Sequence, residues 1–177
     1  VRFTEILWAA QRSGLYYTPI SSRLTASEVE YIIRDCEAKL IITSNALKHV
    51  VIELTGLIND ISARYIIDGQ IDGWNSLEEN LNSMPTSPIE DEIMGQDMLY
   101  SSGTTGKPKG IKLPLKNIPI EQSEDLMQVV TGLYGTNEDT VYLSPAPLYH
   151  AAPLRFTMGV NYIGGTNIIM ENFDAES

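Results

Sequence analysis

The chain has 177 residues, of which 43% are hydrophobic and 20% are charged, a composition that is typical of a folded globular protein and excludes a largely disordered one. This length is enough for one domain with a sizeable core. The formal net charge of −11 at pH 7 excludes broad nucleic-acid binding, because no basic surplus is present to neutralise phosphates. No apolar run approaches the roughly 18 residues that a transmembrane helix needs, so the sequence predicts a soluble protein.

Cysteine and histidine are scarce, which limits the chemistry of the chain. Cys36 is the single cysteine, so no intrachain disulfide can form, and we expect a reducing, cytoplasmic compartment. Neither His49 nor His150 has a second histidine or cysteine at ligand spacing, so the sequence predicts no metal site. The chain begins with Val1 and ends with FDAES, from which we expect a piece of a longer protein. Its oligomeric state stays open.

The first elements are predicted to be a helix, a strand and a second helix. The run FTEILWAAQRSG has helical apolar spacing and ends at Gly14, where a helix stop belongs. A short aromatic strand, LYYTPI, follows. Thr25 and Glu28 then form a capping-box pattern ahead of a helix whose apolar face includes Cys36. We therefore interpret this cysteine as a core residue.

The next segments are predicted to be a strand, a helix, a strand and a short helix. Their sequences are KLIIT, ALKHVVIELTGLI, ARYIID and NSLEENLNSM. This alternation predicts an α/β fold with a mostly parallel sheet flanked by helices. His49 falls inside the second of these segments, so we interpret it as a packed or surface residue. The proline- and carboxylate-rich run MPTSPIEDE predicts an exposed linker.

Beyond this linker, strands and helices continue to alternate. The runs DMLY and GIKLP predict strands on either side of a glycine-rich loop, and a polar helix is predicted over 122–134. TVYLS, APLRFTMGVNYIGG and TNIIM then predict a strand, a helix and a final strand. The α/β pattern therefore extends along the whole chain.

The glycine-rich loop, YSSGTTGKPKG, fails three familiar loop patterns. Lys107 is followed by Pro108, whereas a Walker-type loop needs Ser or Thr there. No Gly-x-Gly occurs for a dinucleotide site, and Ser102 has Tyr100 where a hydrolase nucleophile elbow needs glycine. Two interpretations remain open from composition: a solvated turn, or a nest of backbone amides, hydroxyls and lysines that binds an anion such as a polyphosphate.

The same loop resembles the phosphate-binding signature of the adenylate-forming superfamily, which contains acyl-CoA synthetases, luciferases and the adenylation domains of nonribosomal peptide synthetases. The run YLSPAPLYHAAPL resembles the family segment that lines the acyl site, and the stretch from LWAAQ to LIITS resembles the early N-terminal domain. The resemblance implies that residues 1–177 are part of the large N-terminal, AMP-binding domain of an AMP-forming acyl-CoA synthetase.

The resemblance also implies substrates, cofactors and site residues. Such an enzyme uses ATP and Mg²⁺ to join a carboxylic acid to AMP, releases pyrophosphate, and transfers the acyl group to CoA. The apolar acyl segment favours a fatty or ring-bearing acid over an amino acid, and a fatty acid is the class that we expect. Lys109 and His150 are the implied catalytic residues, and Tyr149 and His150 line the acyl site. The implied phosphate-binding residues are Ser101, Ser102, Gly103, Thr104, Thr105, Gly106, Lys107 and Gly110.

Several family segments are not found in this sequence. They are the segment whose glutamate helps to hold magnesium, the segment whose aspartate binds the ribose, and the small C-terminal domain with its catalytic lysine. We therefore expect the chain by itself to be inactive. Two alternatives stay open: a ligase of the same superfamily for aryl or amino acids, and a non-catalytic module that binds a nucleotide or phosphate.

Overall fold

The computed structural model describes residues 2–101, 106–122, 132–171 and 173–174. The helices in these ranges are α1 (Arg2–Arg12), α2 (Ala26–Asp35), α3 (Lys48–Leu57), α4 (Leu77–Leu81) and α5 (Ala151–Tyr162), with 3-10 turns at Asn45–Leu47 and Ile120–Gln122. The strands are β1 (Tyr16–Tyr17), β2 (Leu40–Ser44), β3 (Ala63–Ile67), β4 (Asn75–Ser76), β5 (Gln96–Ser101), β6 (Lys109–Lys112), β7 (Val141–Ser144) and β8 (Thr166–Ile169).

The predicted α/β fold is confirmed, and its strands are distributed over three sheets. These sheets have the strand orders β1-β5-β6, β2-β3-β4 and β7-β8. The pairs β1–β5, β2–β3, β3–β4 and β7–β8 are all parallel. Helix α3 connects β2 to β3 and helix α5 connects β7 to β8, as expected for parallel neighbours. Most of the polar helix predicted over 122–134 falls on 123–131, which lies outside the described residues.

The chain divides into two compact units. The first contains Val1–Pro19, Ile89–Tyr100 and Ile111–Ser177, and the second contains Ile20–Pro88 and Ser101–Gly110. The glycine-rich loop belongs to the second unit, and the predicted acyl-site segment belongs to the first.

The second unit is built around the β2-β3-β4 sheet. The β2 and β3 strands pair in register along their full lengths, from Leu40 opposite Ala63 to Ser44 opposite Ile67. Apolar side chains from α2, α3 and β3 form its buried core, and the indole of Trp74 joins them while its Nε1 donates to Thr55 Oγ1 at 2.8 Å. The core members are Ala26, Ile33, Val51, Leu54, Ile58, Ile61, Ile66 and Trp74.

Two polar interactions fix the ends of helix α2. The capping box is confirmed, because the Glu28 carboxylate accepts the Thr25 backbone N–H at 2.8 Å, and this hydrogen bond together with one from the Thr25 hydroxyl lowers the pKa of Glu28. Arg34 binds both carboxylate oxygens of Asp60, at 2.5 and 2.7 Å, and these hydrogen bonds lower the pKa of Asp60. Cys36, directly after this helix, is half-buried.

The first unit places α1, β1, β5 and α5 around a second core. Leu7, Leu99, Leu154 and Met158 form this core. Its one buried carboxylate among the described residues is that of Asp97 on β5, which is paired with Arg155 at 3.0 Å and also accepts from the side chain of Gln96. A buried charge of this kind is stable only when it is paired.

Tyr17 on β1 lies beside the same carboxylate, because the β1–β5 register places Tyr17 opposite Asp97. Burial raises the pKa of the Tyr17 phenol, the negative charge of Asp97 raises it further, and Arg155 acts in the opposite direction. The neutral phenol is therefore the form that this core favours.

The predicted linker is confirmed as an exposed segment. Residues 84–91 are all exposed. Its last carboxylate, Glu92, is held by Arg12 at the end of α1, with Nε at 2.9 Å and Nη2 at 2.5 Å from the two oxygens. A bidentate pair of this geometry holds Glu92, four residues before β5, against the last residue of α1. None of the helices within the described ranges is long and apolar enough to cross a membrane.

Candidate functional site

The glycine-rich loop connects two strands, as the sequence predicts. Strand β5 ends at Ser101, whose side chain is exposed, and β6 begins at Lys109. Four of the proposed phosphate-binding residues, Ser102, Gly103, Thr104 and Thr105, lie outside the described residues. The described part of the loop therefore consists of Tyr100, Ser101 and the limb from Gly106 to Gly110.

Gly106 begins this limb with a backbone that favours glycine. Its φ is +92°, and a Cβ added there would meet no atom of the described residues within 4 Å. The dihedral angle is sufficient to explain the glycine, because L-residues with a side chain rarely adopt such an angle.

Two lysines bring positive charge to the same limb. Lys107 and Lys109 are both exposed, and neither forms an ion pair within the part of the chain that the structure describes. The Lys107 ammonium lies 5.1 Å from the centroid of the Tyr31 ring. In a chain of net charge −11, these ammonium groups form a local site where an anion can be bound.

Tyr31 of helix α2 is a residue that the sequence did not single out. Its hydroxyl donates to the carbonyl oxygen of Pro108 at 3.2 Å, while its ring faces Lys107. The sequence signal for it is weak: an aromatic residue directly before the buried pair Ile32 and Ile33, at the edge of the apolar face of α2. Its contact with the loop joins residues far apart in the chain, which local patterns do not reveal.

The proposed acyl-site residues lie in the turn between β7 and α5. His150 is the N-cap residue of α5, with an extended backbone, and its carbonyl accepts the N–H of Leu154 at 3.1 Å. Its imidazole is exposed and lies 4.3 Å, centroid to centroid, from the ring of half-buried Tyr149. The fold brings these two rings together and leaves the imidazole accessible to a ligand.

An aromatic groove lies in the first unit near this turn in the sequence. Phe156 of α5 packs between the rings of Tyr134 and Tyr142, at centroid distances of 5.3 and 6.0 Å. These three side chains line an open groove together with Thr136, Thr140, Val141 and Val160. Such a lining suits an apolar ligand or an apolar partner surface.

The remaining candidate residues have ordinary surroundings. Gly110 is a half-buried residue of β6, and His49 is exposed on α3. Within the described ranges, no group of three or more histidine, cysteine, aspartate or glutamate side chains is arranged to hold a metal ion.

Comparison with known proteins identifies the family. Residues 1–177 match the family described as "AMP-binding enzyme". The relatives include "Long-chain-fatty-acid--CoA ligase FadD13" of Mycobacterium tuberculosis, which is 29% identical over 99% of this chain and 34% of its own length. They also include "2-succinylbenzoate--CoA ligase" of Oceanobacillus iheyensis, which is 26% identical over 97% of this chain and 32% of its own length.

Solved structures share the fold. A luciferase from Phrixothrix hirtus has a TM-score of 0.77 at 19% identity, covering 99% of this chain and 35% of the luciferase chain. A fatty acyl CoA synthetase of Mycobacterium tuberculosis has a TM-score of 0.73 at 22% identity, covering 98% and 33%. The chain thus spans about a third of the length of the curated relatives that it matches. Since the family match covers every residue from 1 to 177, this chain belongs to the AMP-binding enzyme family.

Proposed function

We propose that the protein is an AMP-forming acyl-CoA synthetase that activates a fatty acid with ATP and transfers the acyl group to CoA. The observation that carries the proposal is the family match over the whole chain. Two relatives over almost the same region are named as CoA ligases, one for long-chain fatty acids and one for 2-succinylbenzoate. The chemistry of the loop agrees with an ATP-dependent reaction, because it offers hydroxyls and ammonium groups to phosphates.

In the first step of this reaction, a carboxylate oxygen of the acid attacks the α-phosphorus of ATP. The new bond joins this oxygen to phosphorus, the bond between the α-phosphorus and its bridging oxygen to the β-phosphate breaks, and pyrophosphate leaves with the electron pair. In the second step, the CoA thiol attacks the acyl carbonyl carbon, loses its proton and displaces AMP. The protein supplies no nucleophile, so its task is to position the reactants and to stabilise charge.

The loop residues divide this task between them. We assign the backbone and hydroxyl donors from Ser101 to Gly106 to the β- and γ-phosphates. Lys107 and Lys109 stabilise the charge that develops on the departing pyrophosphate, and both are exposed without an ion-pair partner among the described residues. We also assign Gly110, directly after Lys109 on β6, to the phosphate-binding loop. Mg²⁺ would assist such a reaction by neutralising phosphate charge. Within the described ranges, no cluster of metal ligands is found.

We assign Tyr149 and His150 to the acyl site. The exposed imidazole beside the tyrosine ring can contact the chain or the carboxylate of the bound acid. A fatty acid is the substrate class that we favour, because the segment around these residues is apolar and a relative over the same region is named as a long-chain fatty acid ligase. An aryl acid is the second candidate, favoured by the relative that is named for 2-succinylbenzoate.

The decisive experiment is carboxylate-dependent exchange of pyrophosphate into ATP by the full-length natural protein, with octanoate, palmitate and benzoate as separate substrates. We expect exchange with a fatty acid. Exchange with benzoate alone would replace the fatty acid by an aryl acid, and an absence of exchange with every acid, amino acids included, would contradict the proposed activity.

The role of the loop is tested by Lys109→Ala in the same assay. We expect the exchange rate to fall about 100-fold, because one donor to developing charge typically contributes that much. Lys39→Ala is the matched control, since Lys39 is an exposed lysine outside the loop, and it should exchange at the normal rate. An unchanged rate for Lys109→Ala would contradict the assigned role.

The role of His150 is tested by the dependence of the rate on acyl length. We expect His150→Ala to change the ratio of the rates with palmitate and octanoate by about tenfold, which is the size of effect that small pocket changes produce. His49→Ala is the matched control, because this second histidine is exposed on α3. If both variants keep the natural ratio, His150 does not shape the acyl site.

A further inference from the structure

Helix α2 holds the lysine-bearing limb of the loop through one side chain. Tyr31 makes two contacts with this limb: its hydroxyl donates to the carbonyl oxygen of Pro108 at 3.2 Å, and its ring lies 5.1 Å from the Lys107 ammonium. Both partners belong to the same compact unit as Tyr31. These contacts link a well-packed helix to the limb that carries Lys107 and Lys109.

The position of Tyr31 is itself fixed by the packing of α2. The next two residues, Ile32 and Ile33, are 3% and 2% exposed, so the helix cannot rotate without exposing them. The capping box at Thr25 and the bidentate pair of Arg34 with Asp60 hold the two ends of the helix. Tyr31 therefore presents its ring and hydroxyl from a rigid support.

The hydroxyl contact constrains the backbone between the two lysines. Pro108 has no N–H and a fixed φ, so its carbonyl is the hydrogen-bonding group that this residue offers. The bond from Tyr31 sets the direction of that carbonyl and hence of the peptide that leads into Lys109. A loop whose backbone is set before ligand binding loses less conformational entropy when the ligand arrives.

The second contact, between the Tyr31 ring and the Lys107 ammonium, gives this ammonium a defined position. The exposed ammonium of Lys107 is held only weakly by an aromatic ring, whereas an ion pair with a phosphate is a charge-assisted hydrogen bond and is stronger. A bound triphosphate can therefore draw this ammonium away from the ring.

We propose that Tyr31 is a positioning residue for ATP, which orders the Lys107–Lys109 limb of the loop without touching the reacting atoms. This inference rests on the proposed function, because it assumes that the loop binds triphosphate. It goes beyond the loop signature, since the residue comes from a separate helix.

The chain contains a matched control for this proposal. Tyr16 on β1 makes the same two kinds of contact in the first unit: its hydroxyl donates to the Leu113 carbonyl at 2.7 Å and its ring lies 4.8 Å from the Lys112 ammonium. These partners follow the loop at the far end of β6. Tyr16→Phe therefore removes an equivalent hydrogen bond outside the proposed phosphate site.

The test compares Tyr31→Phe, Tyr31→Leu and Tyr16→Phe in the full-length natural protein. We expect Tyr31→Phe to weaken ATP binding about three- to tenfold, which corresponds to the net contribution of one hydrogen bond, and Tyr31→Leu to weaken it further because the ring contact is also lost. The KM for the carboxylate and the thermal unfolding midpoint of Tyr31→Phe should stay close to those of the natural protein. Tyr16→Phe should bind ATP within twofold of the natural protein.

Two results would overturn the proposal. One is ATP binding by Tyr31→Phe within twofold of the natural protein, and the other is an equal loss of ATP binding in Tyr16→Phe, which would indicate general support of strand β6. If the natural protein binds ATP but exchanges pyrophosphate with no acid, the proposed activity fails while ATP binding by the variants still decides the role of Tyr31. If the natural protein does not bind ATP, both proposals fail.

Discussion

Strand β5 has two contrasting ends, and a glycine stands near each of them. Before its first residue, Gly95 is buried and donates its N–H to the carbonyl of Gln11 at 2.6 Å. A Cβ at this position would lie 2.5 Å from the carbonyl oxygen of Leu15 and 2.6 Å from that of Ala10. At the other end, beyond the strand, Gly106 has a φ of +92°, and a Cβ there would meet no atom of the described residues within 4 Å.

The difference teaches that the same residue type serves opposite purposes in this chain. Gly95 is required because neighbouring backbone occupies the space of a side chain, and this crowding anchors the start of the strand. Gly106 is required by its dihedral angle, without a close contact to any of the described residues. A tight backbone turn in a loop needs such an angle, whereas a strand that carries the loop needs a fixed first residue.

The largest effect is expected from Gly95→Ala. The added methyl group collides with two carbonyl oxygens that belong to the backbone, so we expect a loss of about 3 kcal/mol in the free energy of unfolding. Urea unfolding measures this change. Gly56→Ala in α3 is the matched control, because a Cβ there meets nothing within 4 Å, and it should stabilise the protein by about 0.5 to 1 kcal/mol. A neutral Gly95→Ala would contradict the crowding.

A smaller effect is expected from Gly106→Ala. The added Cβ collides with none of the described residues, and the expected cost is the strain of a side chain at positive φ, about 1 kcal/mol in the free energy of unfolding. Gly106→Asn should cost less, because asparagine tolerates left-handed backbone conformations better than alanine. If alanine and asparagine were equally harmful in urea unfolding, crowding and not the dihedral angle would explain this glycine.

The effect that is expected from Tyr17→Phe on the pH dependence of stability is absent near neutral pH and appears only in alkali. Burial and the charge of Asp97 raise the pKa of the Tyr17 phenol, so the unfolded chain releases this proton more readily than the folded protein. The stabilisation by the neutral Tyr17 phenol is therefore complete below about pH 10 and is lost as the pH rises above this value. At pH 11 the free energy of unfolding is expected to be lower by about 1 kcal/mol. The expected outcome is a shallower loss of stability between pH 9 and pH 11 in Tyr17→Phe, measured by urea unfolding.

An identical alkaline slope in Tyr17→Phe and the natural protein would contradict the half-buried position of Tyr17 opposite Asp97.

Much of the fold could be predicted because its signals are local. The glycine stop after α1 is observed at Gly14, where φ is +65°. The pattern Thr25-x-x-Glu28 forms a capping box in the structure, since both partners lie within one helical turn. Strand and helix periodicity likewise places β2, α3 and β3 in their observed order. These features depend on residues that are a few positions apart.

The candidate site could be predicted only in part, for a physical reason. The loop and its two lysines can be recognised in the sequence, because a run of glycines, hydroxyl residues and lysines is too polar to form part of a core. The distribution of strands over three sheets is not visible there, because parallel pairing joins strands that are distant in the chain. The burial of the Asp97 carboxylate beside Arg155 could not be predicted either. An aspartate in a strand does not by itself indicate a buried ion pair.

The sequence by itself determined the α/β class, the family resemblance and the chemistry of the loop, because residue type and short-range spacing carry that information. The tertiary structure alone decided that Gly95 is crowded by the backbone of Leu15 and Ala10, and that Tyr31 reaches Pro108 across a sequence separation of 77 residues. Such contacts arise when the apolar faces of helices and strands are buried together. This burial brings together polar groups that are far apart in the sequence, and short-range patterns do not predict their contact.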